Sequence, residues 1–93
     1  MVAKIDVKAL GADAFRVTVT DAEGETTHQV TAELAYCQGL TGGAIPAAEL
    51  VRRSFEFLLD REPKESILRR FALPVIGRYF PEYEREMKRR AGA

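Results

Sequence analysis

AFRVTVTDAEGETTHQVT, residues 14–31, holds an apolar–polar alternation, a glycine turn and a returning segment, and the rest of the chain is arranged around it. Phe15, Val17 and Val19 alternate with Arg16, Thr18 and Thr20, a period of two that gives a strand one apolar and one polar face. DAEGE around Gly24 is a turn, and TTHQVT returns as a second strand. Upstream, KIDVKAL sets Ile5, Val7 and Ala9 against Asp6 and Lys8, joined to Phe15 through a turn at Gly11, Ala12 and Asp13. Residues 1–31 are therefore expected to form a three-stranded antiparallel β-meander, greasy on one face and threonine-rich on the other. A lone sheet of this size needs a cover on its apolar face.

Helices supply the cover. TAELAYCQGL is expected to start from Thr31 as its N-cap and stop near Gly39, with Leu34, Cys37 and Leu40 on one side. After the glycine-rich LTGGAI, Pro46 opens the longest helix, over PAAELVRRSFEFLLDRE, with Ala47, Leu50, Val51, Ser54, Phe55 and Leu58 as an apolar stripe. Pro63, Pro74 and Pro81 each suit the first turn of a helix, which predicts three short pieces: PKESILRRF, PVIGRYF and PEYEREMKRR. Their inward candidates are Ile67, Leu68, Phe71, Leu73, Val75, Ile76, Tyr79, Phe80, Tyr83 and Met87. The expected fold class is α+β, a single domain over 1–93 with a meander in 1–31 and helices in 32–93.

Composition excludes several roles. Ninety-three residues, 46% hydrophobic and 30% charged, describe one globular domain with a modest core. The formal net charge of +0 recruits neither nucleic acid nor anionic membrane. Charge is unevenly placed: residues 1–50 are acidic on balance and 51–93 basic, which favours contact between the halves or self-association. A lone cysteine forms no internal disulfide, no apolar run approaches a membrane span, and the N-terminus lacks a signal-peptide pattern, so the expected setting is cytoplasmic.

RRFALPVIGRYF tempts a helix-turn-helix reading. Pro74 and Pro81 limit its would-be reading helix to about 10 Å, and Val75, Ile76, Tyr79 and Phe80 leave little but Arg78 to meet base edges, so a core-packing helix is the better reading. Most helical arginines have acidic neighbours one turn away, among them Glu49–Arg53, Arg52–Glu56, Glu65–Arg69, Glu82–Arg85 and Glu86–Arg90, with Lys88 similarly beside Glu84. Arg70 and Arg78 lack such a partner and are the better candidates to meet an outside anion.

Catalytic chemistry finds little support. Cys37 and His28 are the only residues of their kinds, and a nucleophilic dyad between them is the one enzymatic possibility. Against it, Cys37 shares a face with Leu34 and reads as a buried thiol, and His28 reads as a partly exposed strand histidine beside Val30. One histidine and one cysteine do not make a zinc site in one chain. GLTGGAI lacks the lysine and hydroxyl of a phosphate loop, and Asp60 and Glu62 flank Arg61 at a helix end rather than sharing an apolar pocket. No cofactor is expected.

The stretch SFEFLLDREPKESILRRFALPVIGRYFPEYEREM, Ser54–Met87, resembles one shared by a family of small uncharacterised bacterial proteins in which a short β-rich start precedes a similar phrase. The resemblance implies a bacterial, compact α+β domain and brings no established function and no catalytic residue. The expectation is a non-catalytic accessory protein acting through protein contacts, with itself as a homodimer or with another protein. Arg70, Arg78, Tyr79 and Tyr83 are the candidate interaction residues, since arginine and aromatic side chains dominate interface energetics. Nucleic-acid binding by the basic C-terminal helices is the alternative.

Overall fold

A computed structural model describes residues 3–90. Strands β1 (Lys4–Ala9), β2 (Ala14–Asp21) and β3 (Gly24–Thr31) form the antiparallel meander that the alternation predicts. Register keeps one face apolar: Ile5 pairs with Val19, Val7 with Val17, and Phe15 with Val30. Helices α1 (Leu34–Thr41) and α2 (Ala47–Leu59) follow, then a 3₁₀ turn at Lys64–Ser66. A fourth strand, β4 (Arg70–Ala72), precedes α3 (Pro74–Tyr79) and α4 (Tyr83–Arg90). The class is α+β, but the sheet is four-stranded and mixed, in the order β1-β2-β3-β4 with β4 parallel to β3.

The helix expected over PKESILRRF is thus corrected. Only one 3₁₀ turn follows Pro63, and Ile67 is already extended. Two forces oppose the helix. A nine-residue helix is marginal alone, and the free edge of β3 offers unpaired backbone groups. The Gln29 amide donates to the Arg69 carbonyl at 2.8 Å, and the Leu73 amide to the Thr31 carbonyl at 3.0 Å. In strand conformation Phe71 turns inward against Phe55, with ring centroids 6.0 Å apart, while Arg70 stays exposed.

Two helix boundaries also move. Thr31 completes β3 instead of capping α1, whose N-cap is Glu33. α1 runs past Gly39 to Thr41 and stops at Gly42, whose φ of 66° lets its amide reach the Gln38 carbonyl at 2.7 Å. Cys37 and Leu40 are buried, whereas Leu34 is exposed.

The expected stripe of α2 packs as predicted and a second one is added. Phe55 faces the sheet, 5.3 Å from His28 between ring centroids. Phe57, on the other side, packs edge-on against Phe80 and Tyr83 at 5.9 and 5.4 Å. α2 is therefore a middle layer: the sheet lies on one side, and α4, which also touches α1 and α3, on the other. Arg61 closes its C-terminal end, with its guanidinium 3.6 Å from the centre of the Phe57 ring and hydrogen-bonded to the Phe57 carbonyl. Among the described residues no helix is long and apolar enough to cross a membrane.

Candidate functional site

β3 points His28 into the core, and the side chain is buried, not partly exposed as its strand position suggests. Its Nδ1 lies 2.9 Å from the Leu68 carbonyl and its Nε2 2.8 Å from Thr26 Oγ1. A carbonyl only accepts, so Nδ1 carries the proton, and in the neutral ring Nε2 accepts from the threonine hydroxyl. Burial lowers the His28 pKa, with nearby Arg69 acting the same way against the opposing Leu68 hydrogen bond. The ring thus joins β3 to the segment that leads into β4.

Both ring nitrogens are occupied, and no hydrogen bond joins His28 to Cys37. Cys37 is buried in α1, and burial pushes its thiol pKa up, away from the thiolate that nucleophilic chemistry needs. Alkylation of Cys37 by iodoacetamide is therefore expected to be slow in the native protein and to accelerate sharply on unfolding. Labelling at the rate of a free thiol under native conditions, near neutral pH, would contradict this placement.

The four candidate interaction residues separate. Tyr83 is completely buried: its hydroxyl and Ser54 Oγ lie 2.7 Å apart, and Ser54 also donates to the Leu50 carbonyl at 2.7 Å. It therefore keeps its place among the inward candidates and loses its place among the interaction residues, whereas Tyr79 does the reverse. Tyr79 keeps 66% of its surface exposed, and Arg78 beside it on α3 is also exposed. Arg70 stands elsewhere, on the open face of the sheet, where a guanidinium nitrogen reaches Gln29 Oε1 at 3.4 Å. Tyr36 closes onto α4 by donating to Glu84 at 2.8 Å.

Tyr79 lines a groove of about 290 Å³ between the end of α2, the segment before β4, and α3. Leu68, 47% exposed, lines it as well, and Ile67, Phe71 and Ile76 contribute buried side chains. Glu62 supplies one wall; burial raises its pKa, and no cation among the described residues pairs with it. Leu68 is exposed next to the buried Ile67, in the extended segment between the 3₁₀ turn and β4.

Three of the ion pairs that helical spacing predicts form, Glu49–Arg53, Arg52–Glu56 and Glu86–Arg90, and others are replaced. Arg52 holds Glu49 and Glu56, Arg53 also holds Glu49, and Glu86 takes both Arg89 and Arg90. Arginine contacts hold the carboxyls of Glu49 and Glu86 well below the usual carboxylate range, at about 2. Glu65, expected opposite Arg69, instead pairs with Lys64 at 2.6 Å, since the 3₁₀ turn ends the helical spacing. Glu82 reaches Arg61 at 3.1 Å rather than Arg85. Lys64 is itself buried, with Asp21 at 2.8 Å on its other side, and so ties the β2–β3 turn to the approach to β4.

A second depression, of about 640 Å³, lies between that turn and the end of α2. Its carboxylates are largely spoken for: Asp21 and Glu65 by Lys64, Glu56 by Arg52, Asp60 by Arg90. No group of three or more His, Cys, Asp or Glu side chains with metal-holding geometry occurs among the described residues. No family model matches the chain, and neither a curated protein nor a solved structure does.

Proposed function

We propose that this chain is a non-catalytic accessory domain of the bacterial cytoplasm that holds a protein partner in the groove between Leu68 and Tyr79. The observation that carries the reading is the exposure of these two large apolar side chains, 47% and 66%, at the rim of one cleft. Scattered exposed apolar residues are ordinary; two lining the same concavity mark a contact surface. Arg78 extends the same surface, and the combination of tyrosine, arginine and an apolar pocket is that of an interface anchor site. Charge adds the partner's chemistry: a large apolar side chain fills the groove, and a neighbouring cation pairs with Glu62.

The test compares the wild type with a Leu68→Ser/Tyr79→Ala variant. Both positions are exposed, so unfolding midpoints should agree within the small range of surface substitutions. A protein captured by the wild type should be lost by the variant, with affinity reduced by about thirtyfold or more if Tyr79 is a hot spot costing about 2 kcal/mol. A wild-type dimer that sediments as a monomer after the substitution would identify the occupant as a second copy. Capture and mass unchanged by both substitutions would overturn the reading.

A further inference from the structure

The open face of the sheet carries a second site, distinct from the groove. Strand register places Lys8, Arg16, Gln29 and Arg70 opposite one another in a single row across β1, β2, β3 and β4. With neighbouring strands about 4.8 Å apart, the row spans about 14 Å. Arg16, Gln29 and Arg70 line a shallow pocket of about 290 Å³, together with Arg69, Thr27, His28 and Leu10.

The arginines here differ from those that lace the helix surfaces. Arg52, Arg53, Arg61, Arg89 and Arg90 each hold a carboxylate. Among the described residues no carboxylate lies within ion-pair distance of Arg16, Arg69 or Arg70. Arg69 is free for a local reason: β4 forms where a helix was expected, so Glu65 turns to Lys64. Three guanidiniums around one pocket repel each other, and a multiply charged anion among them relieves that repulsion.

We propose that this pocket binds a phosphate monoester. Three guanidiniums offer forked, charge-assisted donors to the three terminal oxygens of a dianion, which a single carboxylate would leave partly unmatched. Gln29 contributes too: its carbonyl oxygen faces Arg70, so its amide nitrogen remains a donor. Thr27 adds a hydroxyl, and Leu10, 43% exposed, gives an apolar edge for the organic part of the ester. His28 also borders the pocket, but its ring is buried in the core, so no exposed aromatic face is there on which a base would stack, which favours a discrete phosphate over a nucleic-acid strand.

Calorimetric titration at physiological ionic strength tests this with four probes: inorganic phosphate, a free sugar phosphate, a phosphoserine peptide beside its unphosphorylated twin, and an oligonucleotide. Binding of the sugar phosphate but not the peptide places the ester on a small molecule; the reverse places it on a protein chain, and either supports the site. Arg70→Gln should weaken binding about tenfold, the loss of one charge-assisted contact, and combining it with Arg16→Gln and Arg69→Gln should abolish binding. Circular dichroism should remain unchanged in both, because all three side chains are exposed. Arg85→Gln/Lys88→Gln, which removes two exposed cations of α4, should leave binding intact. Absence of binding by every phosphate probe would overturn the proposal, as would affinity that survives the triple substitution. So would binding of an oligonucleotide alone that falls equally in the Arg85/Lys88 variant, since that would describe diffuse attraction to a polyanion.

Discussion

Tyr83→Ala is expected to destabilise the fold by about 3–5 kcal/mol, the range for removing a buried aromatic ring. That is a large share of the about 5–15 kcal/mol available to a domain of this size. Tyr83 is completely buried and helps α4 hold α2, through the Phe57 ring on one side and the Ser54 hydroxyl on the other. Tyr83→Phe separates these contributions. It keeps the ring and loses the hydroxyl, while Ser54 retains the Leu50 carbonyl as acceptor, so its cost should be about 0.5–1.5 kcal/mol. Urea unfolding followed by circular dichroism measures both. If Tyr83→Ala cost less than about 1 kcal/mol while binding to a partner fell, Tyr83 would belong to an interface and α4 would not be packed as described.

That the sequence alone set Tyr79 and Tyr83 together, both among the inward candidates and among the interaction residues, has a definite cause. Tyr79 and Tyr83 are four residues apart, a spacing that on one continuous helix would put both on one face. Phe80 leaves the helix at φ −130° and ψ 90°, and α4 starts anew at Tyr83. The break rotates the two tyrosines apart, one into the core and one to the rim of the groove. Pro81 marked the break, but a proline does not tell the direction of the next helix.

The meander and α2 were legible because their periodicity is long enough to exclude alternatives. Alternation over Phe15–Val19 admits only a strand, and the stripe from Ala47 to Leu58 only a helix. β4 was not legible. Arg70, Phe71, Ala72 and Leu73 do alternate exposed, buried, partly buried and buried, yet a three-residue strand is too short to outweigh a preceding proline and helix-forming residues. What makes it a strand is the edge of β3, a partner forty-one residues distant. Both candidate sites follow from that one pairing. The extended segment that leads into β4 leaves Leu68 exposed beside Tyr79, and the strand brings Arg69 and Arg70 to the pocket that Arg16 also lines. Arg70 and Arg78 could be singled out for lacking a local acidic neighbour, but the pocket around Arg70 depends on register, which no local pattern contains.

The His28 network makes this pairing testable. His28→Phe preserves a ring against Phe55 but removes both hydrogen bonds, leaving the Thr26 hydroxyl and the Leu68 carbonyl without their partner. Unsatisfied groups of this kind cost about 1–3 kcal/mol each, so a loss of about 2–4 kcal/mol is expected. The effect depends on pH in a specified direction. Burial lowers the folded-state pKa of His28 below its ordinary 6.5, so on acidification the unfolded chain takes up the proton first. The contribution of the neutral ring is complete above about pH 6.5 and declines as pH falls from there toward the folded value. Glu62, whose pKa is raised by burial, works in the opposite sense, its unfavourable ionisation relieved as pH falls. Wild-type protein should therefore be more stable at about pH 7.5 than at about pH 5.5, and His28→Phe should flatten or reverse that difference. Urea midpoints at the two pH values decide the matter. If wild type and variant lose stability equally between them, His28 is not the buried neutral link between β3 and the start of β4, and the register that builds both sites loses its support.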